Sequence, residues 1–285
     1  MRLLWFVSDA IHRDALDAAL CDAHLSNDEK HHRRPQELLV PPTCECIEIS
    51  IDTMDEMLLS AHAVEANTDY LLVREERPKL ALFDMDSTLI QQEVIDRLAA
   101  ACGLGEQVSA ITERAMRGEL DFIESFTERL GLLSGLTESE LNDVYRRLTL
   151  MPGAEILTAN LAGAGVRLGV VSGGFSYFAD HIGDRLGMDF VVSNTLECRD
   201  GRVTGRVIPP IIDGSMKLRT LKTEASALGV DLVETLAVGD GANDIPMLTA
   251  SGIGVAYHAK PRVCDAASHC LSHHDLSALS YLVKF

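Results

Sequence analysis

The chain contains 285 residues, of which 47% are hydrophobic and 24% are charged. At about 150 residues per domain, this length corresponds to roughly two domains or one large one, with enough apolar residues for a substantial core. Lys and Arg number 25 against 43 Asp and Glu, which leaves a formal net charge of −18. Because such a surface repels phosphate backbones, we expect no nucleic-acid partner. An anionic substrate would need positive charge concentrated at its site by a metal ion or a few basic side chains.

Membrane insertion and secretion are not expected either. No apolar run approaches the ~20 residues that span a bilayer, and the opening MRLLWFVSDA has too few apolar residues for a secretory signal. We therefore predict a cytoplasmic protein without a membrane partner, in which the seven scattered cysteines are reduced. Cys44 and Cys46 form an isolated C-x-C with no second pair at zinc spacing, so no zinc site is predicted there.

Residues 1–77 have the pattern of a small α+β domain. The predicted elements are a strand RLLWFV, a helix IHRDALDAALCDAHL, strands ELLV and CECIEISID, a helix TMDEMLLSAHAVEA and a strand DYLLVRE. A polar loop SNDEKHHRRPQ is predicted before ELLV; its His31, His32, Arg33 and Arg34 suggest either an anion-binding patch or, as we expect, solvated charge. By its topology alone, the order βαββαβ resembles an ACT-type regulatory domain. That resemblance implies ligand binding or a homodimer through this domain.

From residue 78 to 285 the pattern changes to alternating strands and helices. Short apolar runs that end in Gly, Asp or Ser are separated by helical patterns; the runs are KLALFDMD, VRLGVVSGG, DFVVSNTL, TLAVGDGAND and IGVAY. This alternation predicts an α/β fold with a parallel sheet. Between about residues 91 and 150 the strand signals vanish, and Glu, Leu, Ala and Arg recur at helical spacing. This segment is predicted to be a helical cap that covers the strand ends.

Two acidic residues follow the first of these strands. In LALFDMDSTLI, four apolar residues place Asp84 at a strand end, and ligands of open α/β sheets bind outside the carboxyl ends of the strands. In extended backbone, Asp84 and Asp86 point to the same side. Two carboxylates there repel each other unless each has a metal ion or a proton, which suits one as a nucleophile beside Mg²⁺ and the other as a general acid. A turn rich in Asp and Ser is the alternative explanation.

Two further segments offer groups that bind anions. In RLGVVSGGF, Ser172 follows a strand, and Gly173 and Gly174 allow the backbone to approach phosphate oxygens closely. Lys217 in DGSMKLRTL lies at the start of a predicted helix. Taken separately, the first segment also fits an ordinary turn and the second a solvated surface lysine.

A fourth segment, TLAVGDGANDIPML, places Asp240 after a strand and Asn243 and Asp244 three and four residues later. Oxygen ligands of this kind suit Mg²⁺. The four segments, in this order, carry the D-x-D-x-T, the strand-end Ser, the Lys and the G-D-x-x-N-D of the haloacid dehalogenase (HAD) superfamily, which the chain therefore resembles. The resemblance implies a HAD-like Rossmannoid parallel sheet with a helical cap, next to the small ACT-like α+β domain.

A narrower resemblance lies in the predicted cap. The segment ITERAMRGELDFIESFTERL, Glu93 in QQEVID, and YHAKPRV near Tyr257 are similar to the phosphoserine phosphatases of this superfamily, over about residues 79–282. This resemblance implies Mg²⁺-dependent hydrolysis of O-phosphoserine to serine and phosphate through an aspartyl-phosphate, the last step of serine biosynthesis.

The family resemblance also implies what each matched residue does. Asp84 would attack phosphorus, and Asp86 would act as general acid and then as base. An acid at the second position points to phosphoryl transfer, because a halide leaves without a proton. The other implied assignments are Asp84, the Asp86 carbonyl, Asp240 and Asp244 for Mg²⁺; Ser172, Gly173 and Lys217 for phosphate, with Asn243 holding either Lys217 or the phosphate in place; Glu93 for the substrate ammonium; Arg129 for its carboxylate; and Met116 and Phe122 for closing the pocket.

Two other functions stay open from the residues alone. A HAD phosphatase or phosphotransferase for another small phosphomonoester would share the four segments, but a neutral alcohol phosphate needs neither Glu93 nor Arg129. An amino-acid-sensing protein with a vestigial phosphatase core would not need all four segments intact. A P-loop kinase is excluded because G-x-x-x-x-G-K-[ST] is absent from the sequence.

Overall fold

The computed structural model describes residues 1–22, 30–33, 38–40, 42–50, 56–74 and 76–283, with backbone alone at 30–33, 56 and 116. The strands are β1 Arg2–Val7, β2 Lys30–Arg33, β3 Glu45–Ser50, β4 Tyr70–Val73, β5 Leu80–Phe83, β6 Arg167–Phe175, β7 Phe190–Arg199, β8 Arg202–Ile208, β9 Thr235–Gly239, β10 Ile253–Tyr257 and β11 His269–Leu271. The helices are α1 Ala10–Asp22, α2 Glu56–Ala66, α3 Val94–Ala101, α4 Gly105–Met116, α5 Phe122–Leu132, α6 Glu138–Tyr145, α7 Ala154–Gly163, α8 Ser176–Leu186, α9 Gly214–Leu228, α10 Ile245–Ala250 and α11 Pro261–Cys264, with 3-10 helices at Leu232–Glu234 and Leu276–Leu282. In the described ranges, no helix has the length and apolar character that crossing a bilayer requires.

The N-terminal strands form an antiparallel sheet in the order β2-β3-β1-β4. The predicted order βαββαβ is present, and it is the order of ferredoxin-like folds. Side chains that alternate along β1 and β3 pack with α1 and α2 in one hydrophobic cluster, which includes Leu3, Trp5, Ile47, Leu16 and Leu59. The sheet is therefore covered by helices on that face.

The predicted second strand, ELLV, is wrong. Residues 38–40 form bends, and the second strand is β2, within the segment predicted as a loop. Val40 exchanges two 2.8 Å hydrogen bonds with the side chain of Asn160 in α7, so its backbone groups are satisfied without a strand partner. The strand β2 lies at the sheet edge, where polar residues are tolerated, and a hydrophobic pattern does not mark it. The suggested anion patch concerns side chains at 31–34, which lie outside the described residues.

Within the described residues, the second sheet has seven strands in the order β11-β10-β9-β5-β6-β7-β8. Its neighbours are parallel except for the antiparallel pair β7 and β8. All five strands predicted after residue 78 are confirmed, whereas β8 and β11 were not predicted because neither contains a continuous apolar run. Helices α3 to α6 lie where the cap is predicted, and a bridge between Ile90 and Leu150 joins the two ends of this insertion.

The other face of the N-terminal sheet is buried against the α/β body. Leu4, Phe6 and Leu71 share one hydrophobic cluster with residues of the body that include Tyr257, Leu276 and Tyr281. The buried Asp69 also accepts hydrogen bonds from three consecutive backbone N–H groups, those of residues 272–274, at 2.8 to 2.9 Å. The division into domains 1–77 and 78–285 stays a prediction, because the two sheets share this core.

The prediction that all cysteines are reduced is wrong for one pair. Cys264 at the end of α11 and Cys270 in β11 form a disulfide with a Cα separation of 5.1 Å. Their spacing of six residues carries no local signal, and they meet only because the chain turns from α11 back into the edge strand. No disulfide within the described residues includes the remaining cysteines, which are Cys21, Cys44, Cys46, Cys102 and Cys198.

Candidate active site

Three adjacent strands bring polar side chains to one edge of the large sheet. The strand β5 leads into Asp84, β9 leads into Asp240, and β6 contains Ser172. Because β5 lies between β6 and β9 and all three are parallel, their carboxyl ends meet at the same edge. The Asp84 N–H donates to Val238 O at 2.9 Å, so the pairing of β5 with β9 continues to the first residue of the site.

The turn after β5 directs Asp84 and Asp86 into one cavity. Ser87 has a left-handed φ of 55°, and the Leu89 and Ile90 N–H groups both donate to Met85 O, which closes a tight turn. Asp84 Oδ1 accepts from the Met85 N–H at 2.8 Å. Asp86 Oδ2 accepts from the N–H of residue 94 at 3.3 Å, while Asp86 Oδ1 is buried with no hydrogen-bond partner among the described residues.

Lys217 is fully buried in the first turn of α9. Asp213 caps this helix, since its side chain accepts from the Met216 N–H at 2.8 Å. The ammonium lies 2.8 Å from Asp84 Oδ1 and 2.6 Å from Asp244 Oδ1. Burial alone would lower the pKa of Lys217, but the two carboxylates outweigh it and raise the pKa above its ordinary value. Lys217 therefore supplies a permanent positive charge beneath the cavity.

Three carboxylates converge beside this ammonium. Asp84, Asp240 and Asp244 each present an oxygen within 4.8 Å of the others. Burial, followed by repulsion from Asp84, raises the pKa of Asp240 to about 8 and that of Asp244 to about 6. One ammonium does not balance three carboxylates, and a set of carboxylate oxygens is what hard divalent cations prefer. The donor set fits a divalent metal ion.

The end of β6 bulges out of the sheet and forms the opposite side of the site. Pairing between β6 and β7 shifts between Val171 and Phe175, which frees residues 172–174 from the ladder. Ser172 Oγ accepts from the Gly174 N–H at 2.9 Å. A methyl group at Gly174 would lie 2.8 Å from Met85 Cε and 3.1 Å from Ser172 Oγ, so any larger residue would require the end of the Met85 side chain to move.

A cavity of about 130 Å³ lies between these strand ends and the cap helices. It brings together nine of the predicted site residues: Asp84, Asp86, Glu93, Phe122, Arg129, Ser172, Gly173, Asp240 and Asn243. Lys217 and Asp244 lie behind Asp84 and do not line the cavity. The side chain of Met116 lies outside the described residues.

The cap side of the cavity carries one acidic and one basic side chain. Glu93 precedes α3 and accepts from the Ser87 hydroxyl at 2.9 Å, and Arg129 projects from α5 with its Nε donating to Ser125 O at 3.3 Å. Solvent reaches Glu93 at the cavity mouth, yet the surrounding protein reduces its hydration and raises its pKa. Partial burial lowers the pKa of Arg129, although Asp96 and Glu93 oppose this. Arg129 is the cationic side chain among the described residues that line the cavity.

Apart from Phe122, the apolar residues of this lining were not predicted from the sequence. Ile95, Phe126 and Phe175 also face the cavity, and Phe126 stacks against Phe122 with ring centroids 6.1 Å apart. Helical or strand spacing marks such residues as core and cannot separate a core position from a pocket wall. The implied contact between Asn243 and Lys217 is not found among the described residues, where the partners of the ammonium are Asp84 and Asp244.

The sequence and the fold of this chain match those of known proteins. Residues 81–249 match the model of the haloacid dehalogenase-like hydrolases. Phosphoserine phosphatase SerB2 of Mycobacterium tuberculosis is 45% identical over 86% of this chain and 59% of its own length. A HAD family hydrolase from Salmonella enterica serovar Typhi is 30% identical, with a TM-score of 0.89 over 99% of this chain and 98% of that one.

A solved structure described as a phospho-aspartyl intermediate analogue of phosphoserine phosphatase is 37% identical, with a TM-score of 0.68 over 73% of this chain and 100% of that one. The match covers between half and about three fifths of the length of the first curated relatives. The matched residues include the strand ends that carry Asp84, Ser172 and Asp240. The chain belongs to the haloacid dehalogenase-like hydrolases, in the branch that contains the phosphoserine phosphatases.

Proposed function

We propose that this chain hydrolyses O-phosphoserine to serine and phosphate, with Mg²⁺ as cofactor and an aspartyl-phosphate as intermediate. One observation carries the proposal: a single small cavity holds Asp84 and Asp86 at the strand ends together with Glu93 and Arg129 from the cap. Phosphoserine has a phosphate at one end and an ammonium and a carboxylate at the other, which matches this distribution of charge. The similarity to phosphoserine phosphatases along most of the chain supports the same substrate.

Asp84 is the proposed nucleophile. Hydrogen bonds from the Met85 N–H and from Lys217 converge on its Oδ1, and none from the described residues reaches Oδ2. Oδ2 attacks phosphorus, the bond from phosphorus to the seryl oxygen breaks, and an acyl phosphate forms on Asp84. This route divides one difficult displacement into two easier ones.

Asp86 is the proposed general acid and base. Burial first, then the nearby Glu93 and Asp84, raise the pKa of Asp86 well above its ordinary value, which favours the protonated carboxyl. Its Oδ1 has no hydrogen-bond partner among the described residues, so no group there competes for its proton. Asp86 gives its proton to the leaving seryl oxygen and then takes one from the water that hydrolyses the acyl phosphate, which regenerates Asp84 and releases phosphate.

Mg²⁺ would be held by Asp84 and Asp240, with the Asp86 carbonyl as a further ligand and Asp244 beside it. Bound there, it would neutralise part of the charge on the phosphate. Lys217 contributes fixed positive charge through Asp84, and Ser172 and Gly173 would offer a hydroxyl and a backbone N–H to the remaining phosphate oxygens. Asn243 would contact the phosphate directly, because it lines the cavity.

Side chains of the cap would determine which phosphate ester binds. Glu93 would bind the substrate ammonium and Arg129 its carboxylate, for which the planar guanidinium offers two parallel hydrogen bonds. Phe122, 36% exposed at the start of α5, would close over the substrate and exclude water. Cytoplasmic location and a homodimer through residues 1–77 stay predictions.

Phosphate release from a set of phosphomonoesters, with Mg²⁺ and with EDTA, tests the proposal. The purified chain is expected to prefer phosphoserine over phosphoethanolamine, which lacks the carboxylate, and over glycerol phosphate, which lacks both charged groups. Equal turnover of all three esters would contradict phosphoserine as the specific substrate, although the chain would still be a phosphatase. Metal-independent turnover would contradict the metal site.

A further inference from the structure

Asn194 in β7 is a fully buried side chain that joins two segments of the phosphate site. Its Nδ2 donates to Gly173 O at 2.8 Å, and its Oδ1 accepts from the Ile212 N–H at 2.9 Å. It does not line the cavity among the described residues, so it cannot contact substrate directly.

The first contact fixes the bulge at the end of β6. Residues 172–174 have left the ladder between β6 and β7, and pairing resumes where Phe175 lies opposite Asn194. The Gly173 carbonyl therefore has no strand partner, and the Asn194 amide takes the place of one. This bond sets the orientation of the peptide between Gly173 and Gly174, whose N–H in turn donates to Ser172 Oγ.

The second contact fixes the start of α9. Ile212 directly precedes Asp213, which caps the helix through the Met216 N–H and accepts the Lys217 N–H at its carbonyl at 3.0 Å. The position of the Ile212 peptide thereby sets where the first helical turn begins. Lys217 lies in that turn, so its ammonium is placed by the same contact.

We propose that Asn194 is a positioning residue that holds the Ser172 and Gly173 half of the phosphate site at a set distance from the Lys217 half. The inference rests on the proposed function, since it assumes that both halves stabilise a bound phosphate, the Lys217 half through Asp84. The site suits an amide because one atom must donate and a second atom must accept; of the side chains that are neutral at pH 7, only Asn, Gln and the bulkier ring of His do this from two separate atoms. Gln is one methylene longer and does not fit a fully buried position without repacking.

The test compares Asn194→Asp and Asn194→Leu with the unchanged chain. Asn194→Asp keeps an acceptor for the Ile212 N–H but sets a second acceptor against the Gly173 carbonyl, and Asn194→Leu removes both bonds. The inhibition constant of inorganic phosphate against residual activity should rise roughly tenfold or more in both variants. Turnover of phosphoserine and of p-nitrophenyl phosphate should fall by the same factor, because both share the phosphate.

Asn160 provides a matched control. It is also fully buried and also bonds to backbone through both side-chain atoms, but its partners are the N–H and C=O of Val40 and the hydroxyl of Ser280, and none of these residues lines the cavity. Asn160→Asp should lower the melting temperature without changing the inhibition constant of phosphate. Such a constant does not depend on how much of the sample is folded, so it separates positioning from stability.

An unchanged inhibition constant in soluble Asn194→Asp, with only a lower melting temperature, would overturn the proposal. Failure of both Asn194 variants to yield folded protein would assign the residue to the fold and would overturn it as well. The unchanged chain in the same assay reports separately on the proposed function, because its lack of phosphatase activity would refute that function irrespective of Asn194.

Discussion

The Lys217 ammonium lies 2.8 Å from Asp84 Oδ1, and both side chains are buried. Their contact joins a helix start to a strand end that is 133 residues earlier in the chain. In this buried position, the ammonium offsets the charge of the carboxylate that we propose as the nucleophile. It also occupies Oδ1 and thereby leaves the other oxygen for the reaction.

Asp84→Asn should abolish turnover. The amide can still accept a hydrogen bond from Lys217, but it is a poor nucleophile and a poor ligand for a cation. Steady-state phosphate release with Mg²⁺ measures the effect, with a melting curve as the control for folding. More than a trace of Mg²⁺-dependent activity in carefully purified variant would exclude Asp84 as the nucleophile.

Asp86→Asn should separate the two chemical steps. The attacking carboxylate is intact, but the proton donor and later base are lost. With p-nitrophenyl phosphate, whose leaving group needs no proton, we expect a burst of nitrophenol followed by slow turnover, and a phosphoenzyme detectable by mass spectrometry after an acid quench. Equal loss of the burst and of steady turnover would show that Asp86 also supports the attack itself.

Arg129→Ala should impair phosphoserine selectively. Truncating one partner of a desolvated charged pair typically costs about 2 to 5 kcal/mol, or roughly 30-fold to several thousand-fold in kcat/KM. The loss should be much smaller for p-nitrophenyl phosphate and for phosphoethanolamine, neither of which has a carboxylate. Glu93→Gln should lower kcat/KM for phosphoserine and for phosphoethanolamine, because both have the ammonium, more than for p-nitrophenyl phosphate, which lacks it. If Arg129→Ala slows all three substrates equally, then Arg129 serves the phosphate or the fold.

Mg²⁺ affinity should rise with pH. In the metal-free protein, burial and mutual repulsion raise the pKa of Asp240 to about 8 and that of Asp244 to about 6. Because a divalent cation binds the ionised carboxylates, protons are released on binding, and the Kd falls as pH rises through this range. Calorimetry at several pH values, in buffers of different ionisation enthalpy, measures both quantities. A Kd that does not change between pH 6 and 8.5 would contradict this prediction.

Removal of residues 1–75 should preserve the site and reduce stability. Every proposed catalytic residue lies downstream, so phosphoserine turnover should persist. The truncation exposes the apolar side chains of the body against which Phe6 and Leu71 pack. Each large apolar side chain that loses its burial lowers the free energy of unfolding by about 1.5 to 3 kcal/mol. The backbone N–H groups of residues 272–274 also lose Asp69 as their hydrogen-bond acceptor. A lower melting temperature with normal KM is expected. Asp69→Asn in the full chain should lower the melting temperature by a smaller amount, because the apolar contacts stay in place. A truncated protein as stable as the full chain would show that the shared core does not stabilise the body.

Part of the site was predictable because its signals are local. An apolar run followed by Asp84 and Asp86, or by Ser172 or Asp240, marks a strand end, and the carboxyl ends of parallel strands form one edge. The strand β2 was missed because an edge strand can be polar, and the pocket walls Ile95 and Phe126 were missed because their spacing equals that of core residues. The disulfide between Cys264 and Cys270 likewise has no local signal.

The sequence by itself determined the alternation of strands and helices, the strand ends that carry acidic groups, and the family that these segments resemble. Only the tertiary structure decided which atoms meet: Lys217 with Asp84 and Asp244 rather than with Asn243, Asn194 between Gly173 and Ile212, and the N-terminal sheet on the core of the body. The physical reason is that secondary structure follows from residues a few positions apart, whereas distances of 2.6 to 2.9 Å between segments far apart in the chain depend on the register and packing of the whole sheet.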